Sequence, residues 1–286
     1  MKTGLIVINY NDYENTIKFV NSISNYKIID KIVIVDNNST DNSYELLNKI
    51  NNNKIQLIKS DINGGYASGI NIGSKYLINE FGECNIIVSN TDIIDITEEK
   101  IEKLVLDLDK VSLVAPIIKE HTGLNKGWKN PTPKMEVLLN LPIIHRKIRK
   151  KHLLYSDDYY NNELVKVDVV SGCLFLIKSS ILKKINFMDE NTFLYYEENI
   201  LSKKIKSINE NEYIDTTVTL FHNHSITIDK SINRIKKFKI LKKSQLYFNK
   251  NYNNATTCDI ILLNLTSKIM LIILYIAVIF RGGFKK

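Results

Sequence analysis

The sequence predicts an α/β fold, a doubly wound and mostly parallel sheet with helices on both faces. Three observations carry this expectation. Short β-branched runs alternate with helical patterns through the first hundred residues. The runs are apolar almost throughout, as strands covered on both faces are, rather than at every second position. A polar cluster follows each run, where sheets of this kind bind their ligands, beyond the carboxyl ends of the strands.

Taken in order, residues 5–9, 32–36, 55–59 and 86–89 are expected as strands, with helices near 13–26, 41–51 and 69–81 between them. The strand-end clusters are residues 9–12, 36–41, 61–65 and 90–92, which places them on one polar rim. A fifth strand is expected over 111–118. The irregular, basic stretch 119–166 that follows holds Trp128, three of the four prolines and the run HRKIRKKH at 145–152, and is expected to be a variable insertion. Regular structure resumes over 167–177, with a helix near 179–185, an acidic helix start at 195–198 and a strand at 216–221 that ends in His222, Asn223 and His224. The first domain is thus expected to cover 1–228.

Charge divides the chain of 286 residues further. Residues 230–286 hold twelve of its 39 Lys and Arg against one acid, Asp259, so the rest is close to neutral despite a net charge of +8. A nucleic-acid-binding fold would spread basic residues and aromatics over its body. Here the cations adjoin an apolar tail, which points to an anionic membrane surface and away from nucleic acid. Residues 231–249 are expected as an amphipathic helix with Ile235, Phe238, Leu241 and Leu246 on its apolar face. Residues 260–280 are apolar at 17 of 21 positions, interrupted by Asn264, Thr266, Ser267 and Lys268. A spanning helix wants ~20 apolar residues and a central Lys costs it roughly 3 kcal/mol, so a helix lying in the interface is favoured over a span. A helix pair packed on the core is the competing expectation. Cys84, Cys173 and Cys258 are odd in number and widely spaced, which argues against a disulfide framework or a zinc site. The opening apolar stretch is too short for a signal peptide.

Five places carry candidate chemistry. Asp36 ends a strand where an acceptor for a nucleobase or ribose would stand; capping the next helix is the equal alternative. The glycines of residues 63–73 mark close approach, of a ligand at the turn and of packed helix backbone at Gly69 and Gly73. GxGxxG and GxxxxGK[ST] are both absent, so nicotinamide and P-loop chemistry find no phosphate cradle. Asp92, in the turn Asn90, Thr91, Asp92, offers one carboxylate to a hard divalent cation, Mg²⁺ or Mn²⁺, or else belongs to the start of the helix at Thr97. Glu197 and Glu198 open a helix, where acids are favoured in any case, and either suits a general base. His222 and His224 offer imidazole to the metal or a phosphate.

In order, the segments VINYN (7–11), VDNNSTD (35–41), NGGYASGINIG (63–73), SNTD (89–92), GCLFLI (172–177) and MDENTFLYYEE (188–198) resemble the family-2 glycosyltransferases. The likeness spans residues 4 to about 228 and is to the branch that builds bacterial surface polysaccharides, rhamnosyltransferases included. It implies the Rossmann-like GT-A fold and an inverting transfer of a sugar from a nucleoside-diphosphate donor to a hydroxyl. It implies donor contacts at Asn9, Tyr10, Asp36, Asn38, Asn63, Gly64, Gly65, Asn71, Asn90 and Thr91. It assigns the cation to Asp92 and the base to Glu198, with Glu197 beside it because the family most often has Glu-Asp there. The first acid of the family's metal motif is replaced by Asn90. The implied acceptor is a polyprenyl-diphosphate-linked glycan, met at the cytoplasmic face of the membrane by the 229–286 helices. Two other classes stand against this: an inactive scaffold or sugar-binding relative, and a sugar-1-phosphate nucleotidyltransferase, whose Gly-rich stretch would follow the first strand where this chain has Asn9, Tyr10 and Asn11.

Overall fold

The computed structural model describes residues 1–142, 144–223 and 234–282. Its spine is a ten-stranded sheet. One half is parallel, in the order β3 (Ile55–Lys59), β2 (Lys31–Asp36), β1 (Lys2–Asn9), β4 (Cys84–Ser89). Asn9 lies opposite Asp36 and Val7 opposite Ser89, so the predicted polar clusters leave the sheet along one edge. Alternation does the packing. Ile6, Val33, Val35, Ile86 and Val88 face α3 (Tyr66–Phe81), while Leu5, Val7, Ile32, Ile34 and Ile87 face α1 (Tyr13–Ile23) and α4 (Glu98–Lys110). Both faces are covered, which is why the strands are apolar throughout.

The second half is mixed. β9 (Leu174–Lys178) inserts antiparallel between β4 and β6 (Leu113–Glu120), and β10 (Glu212–His222) runs parallel to β6. Three short strands complete the sheet: β5 (Ile93–Ile94) and β8 (Leu164–Val167) on β10, and β7 (Gly123–Asn125) on β6. Of the regular structure expected over 167–177, Val167 ends β8 on β10 and Leu174–Ile177 lie in β9 between β4 and β6, with 168–173 outside both strands. The 119–166 stretch is not irregular throughout; it includes α5 (Pro133–Leu139) and α6 (His145–Ile148) besides β7 and most of β8. Among the remaining helices are α7 (Ser179–Lys184), with Ile181 and Leu182 in the core beside α3, and α8 (Glu197–Ser207), which contributes Leu201 and Ile205.

The two C-terminal helices behave differently. In α9 (Arg234–Asn251) the expected apolar face, Ile235, Phe238, Leu241 and Leu246, is only half-buried. Its inner face is Ser244, Gln245, Phe248 and Asn249, and Phe248 is fully buried. The polar groups are satisfied there: Ser244 donates to the Leu194 carbonyl at 2.7 Å and Asn249 to the Gln245 carbonyl at 2.9 Å. α10 (Thr257–Gly282) buries one narrow stripe, Leu263, Thr266 and Leu274, while Ile261, Leu265, Ile269, Ile272 and Ile276 stay open. Its window Thr257–Ala277 is long and apolar enough to cross a membrane, with a mean hydropathy of 2.2 and only 17% buried. Packing on the body thus holds for α9 and for one stripe of α10.

Candidate active site

The ends of β1 and β2 build the first part of the site. Asn9 donates from Nδ2 to Asp36 Oδ1 at 2.7 Å and to Ser39 Oγ at 3.1 Å, and its Oδ1 accepts from Thr16 at 2.9 Å. Asp36 is fully buried and also accepts from the Ser39 hydroxyl and backbone N–H. It does not cap α2 (Ser43–Leu47); the Ser43 N–H bonds Asp41 instead. The chain turns at Asn38, which is half-buried with φ 58°, and Tyr10 is half-buried just past β1.

The glycine turn ties this cluster to the opposite wall. The Asn37 amide donates to the Gly65 carbonyl at 2.8 Å, and Asn63 Oδ1 accepts from the Gly65 N–H at 3.2 Å. Gly65 has φ 88° and ψ −173°, a region that is essentially glycine's alone. A Cβ there would lie 2.2 Å from the Phe193 carbonyl oxygen. A Cβ on Gly69 or Gly73 would meet Ile8 at 2.9 Å or Ile6 at 2.7 Å, so these two serve helix-on-strand packing. Asn71, expected at the nucleotide, is instead taken up on the far side of α3: it donates to Met188 O at 2.9 Å and Glu190 at 2.7 Å and accepts from the Met188 N–H. Asn71 lies in the second turn of α3, 3% exposed, and its bonds to residues 188 and 190 bury it against that loop.

Tyr66 is the residue that joins the parts. Its N–H donates to Phe193 O at 3.2 Å, and its hydroxyl sits 3.1 Å from Asn90 Oδ1 and 2.8 Å from Gly172 O. Burial, reinforced by the charges of Glu198 and Asp92 among others, pushes its pKa well above the usual phenol value, so it stays a donor. Asn90, with Thr91 half-buried beside it, is thus a structural tie in the turn rather than a second acid for a cation.

Asp92 and His222 are brought together by sheet topology. β5 pairs antiparallel with the end of β10, setting His222 against Ile93 and its Nε2 3.0 Å from Asp92 Oδ1. The two side chains are 13% and 10% exposed. One carboxylate and one imidazole 3.0 Å apart form a donor pair able to hold a divalent cation. Asp92 is not a helix cap: Thr97 caps α4, accepting from the Lys100 N–H. His224 lies outside the described residues. A second acidic cluster, Asp107, Glu163 and Asp215, is already filled by the Lys103 ammonium, 2.6 Å from Asp107 and 3.4 Å from Asp215.

The wall opposite is α8. Tyr195 and Tyr196 both have positive φ, 72° and 70°, a conformation that costs an ordinary residue roughly 1–3 kcal/mol and marks functional loops. Glu197 and Glu198 follow at once and line a narrow pocket with Tyr66, Gly172 and Glu212. Burial and the neighbouring Glu198 charge push Glu197 up to about 8, and burial raises Glu198 as well. The pair therefore carries fewer than two negative charges at neutral pH. Gly172 leaves room for Glu198: a Cβ there would stand 2.8 Å from its Oε1. Glu212, fully buried beside them, is held well above the carboxylate range by burial.

Comparison with known proteins agrees with this architecture. The family model described as glycosyl transferase family 2 matches residues 5–186. A curated relative, the low-salt glycan biosynthesis hexosyltransferase Agl10 of Haloferax volcanii, is 26% identical over 200 residues, 68% of this chain and 58% of that protein. This chain therefore spans little more than half the relative's length. Among solved structures, GalNAc-T7 with UDP, GalNAc and Mn²⁺ superposes with a TM-score of 0.59 at 12% identity, over 78% of this chain and 44% of that one. The mannosyltransferase PcManGT of Pyrobaculum calidifontis, in complex with GDP-Man and Mn²⁺, gives 0.56 at 12% identity, over 94% and 69%. These two likenesses are of fold.

Proposed function

The chain belongs to glycosyltransferase family 2, and on that premise we propose that it moves a sugar from a nucleoside-diphosphate donor, UDP- or dTDP-linked with rhamnose among the candidate sugars, to a hydroxyl of a lipid-linked oligosaccharide, with inversion. The setting we infer is surface-polysaccharide assembly at the cytoplasmic face of the membrane. The open apolar face of α10 supports a membrane setting. The observation that carries the chemistry is the convergence at Tyr66, whose bonds link the glycine turn to the Asn90–Asp92 turn and to the strand end that packs against Glu198.

In this reading the Asn9, Asp36, Ser39 cluster receives a donor group of the base or ribose, held rigid because each member already bonds another. Gly64 and Gly65 let backbone approach the nucleotide. Asp92 and His222 would hold Mn²⁺ or Mg²⁺, which supplies charge neutralisation to the departing diphosphate. Glu198, or Glu197 in its place, takes the proton of the acceptor hydroxyl as that oxygen forms its bond to the anomeric carbon. A single base suffices, since the leaving diphosphate needs no proton. The scaffold alternative rests on Asn90, and both glutamates and Asp92 remain in place to argue against it.

Thermal unfolding of the full chain against UDP, dTDP and GDP, each with and without Mn²⁺, tests the reading. A nucleotide at 100 times its Kd stabilises by about 2.7 kcal/mol. A Mn²⁺-dependent shift with one nucleotide, absent in Asp92→Asn, is expected. No shift with any of the three overturns it in favour of the scaffold.

A further inference from the structure

We propose that Glu136 and Gln245, from helices far from the strand ends, are positioning residues for the Glu197–Glu198 pair, acting through Tyr196; this rests on the catalytic reading of that pair above. Tyr196 occupies the residue before α8 in a left-handed conformation, φ 70° and ψ 0°, directly after a second left-handed residue. Nothing in the local sequence favours this, because left-handed backbone suits glycine or asparagine and not tyrosine. What holds it is tertiary. The Tyr196 hydroxyl donates to Glu136 Oε2 at 2.7 Å, and Gln245 Nε2 donates to the same oxygen at 2.6 Å. Glu136 is fully buried and Gln245 is 2% exposed. The Tyr196 ring lies 5.3 Å from that of Phe248, one turn along α9 from Gln245.

The anchor is itself braced. Lys242 bonds Gln245 Oε1 at 2.9 Å and also Asn140 at the end of α5, and Asn140 donates to Thr266 of α10 at 2.9 Å. Ser244 holds the Leu194 carbonyl, two residues before Tyr196, at 2.7 Å. Glutamates 197 and 198 begin the helix that this strained turn launches, so a turn that relaxes redirects both carboxylates. Glu136 sits within the stretch that the sequence marks as a variable insertion, and Gln245 within the expected membrane tail; the fold puts both to use behind the base.

Tyr196→Phe is the first variant, since it keeps the ring on Phe248 and deletes only the hydroxyl. Turnover is followed as nucleoside diphosphate released from UDP-, dTDP- and GDP-sugars with Mn²⁺, alongside Glu136→Leu and the conservative Glu136→Gln, whose amide oxygen still accepts. A small misplacement of a reacting group costs up to about 100-fold. Tyr196→Phe is expected to lower kcat roughly 10- to 100-fold with donor KM within about twofold, and Glu136→Gln to recover most of what Glu136→Leu loses. Amide hydrogen exchange over 195–200 is measured in the same variants and requires no activity; at least about tenfold faster exchange there, with β1 and β2 unchanged, is expected. Unchanged exchange and unchanged kcat in Tyr196→Phe overturn the proposal. Wild-type turnover in both Glu197→Gln and Glu198→Gln would instead overturn the catalytic reading beneath it.

Discussion

Replacing Gly65 by alanine tests how the two walls of the cleft are joined. The residue sits at φ 88° and ψ −173°, so an L side chain there costs ~1–3 kcal/mol in backbone strain alone. Its Cβ would stand 2.2 Å from the Phe193 carbonyl oxygen, against 3.4 Å or more for ordinary contact. The obstacle is backbone and cannot rotate away, so the 193 loop has to retreat by about 1 Å, from the difference of those two distances. That retreat breaks the Tyr66 N–H bond to Phe193 and loosens the Asn37 bond to Gly65, each a net ~0.5–1.5 kcal/mol. The sum is about 2–6 kcal/mol, a large share of a typical total of ~5–15 kcal/mol. Urea unfolding followed by circular dichroism, at an unchanged m-value, measures it. Gly64→Ala is the control: its Cβ would meet Ser68 Oγ at 2.6 Å and Cβ at 2.7 Å and so also forces a shift, but Gly64 has no positive φ, so it should cost less by the ~1–3 kcal/mol of backbone strain. A Gly65→Ala loss under about 1 kcal/mol, or one equal to that of Gly64→Ala, refutes the argument.

Other outcomes follow from the same structure. Glu197 is held up to about 8 in the fold against an ordinary value of 4.5, so its ionisation destabilises the folded state and stability declines as pH rises from about 4.5 to 8. Glu197→Gln should remove this decline, of order 5 kcal/mol, and parallel stability–pH curves for variant and wild type would contradict it. Phe248→Ala, at a fully buried side chain, should cost ~3–5 kcal/mol in chemical denaturation, whereas a dispensable tail would lose under 1 kcal/mol. A chain ending at residue 256 should unfold as cooperatively as the full one but fail to pellet with anionic vesicles. Ending it at 230 should remove cooperative unfolding, because Gln245, Phe248 and Asn249 go with it. Vesicle binding by the 256-residue form would reassign membrane attachment to other surfaces.

The parallel half of the sheet is legible because each strand there, five to eight residues long, centres on Ile, Val or Leu. The short strands β5 and β7, of two and three residues, carry no period to detect, yet β5 is what brings His222 to Asp92. Both residues were singled out from chemistry; only topology could join them. Tyr66 lies within the NGGYASG segment, but a lone tyrosine has no signature. The partners of Asn71, Met188 and Glu190, lie more than a hundred residues away in sequence, and no local pattern joins them to it. Glu136 and Gln245 were out of reach: a buried carboxylate in a polar stretch, and a buried amide in a lysine-rich helix, look like solvated residues until the fold covers them.

The packing of α5 on α9 bears on how this chain can be recombined with relatives. Asn253 bonds the Pro131 carbonyl at 2.9 Å, Gln245 bonds Glu136, and Lys242 bonds Asn140, so two stretches more than a hundred residues apart form one inheritable unit. Grafting residues 119–166 alone into a related transferase would import half of a polar interface and bury its acceptors, Glu136 Oε2, the Pro131 carbonyl and Asn140 Oδ1, without their donors. A working chimera exchanges 119–166 and 234–253 together, with crossovers in β6 and just before α9. Exchanging this part of the chain with a relative is therefore a two-cassette operation.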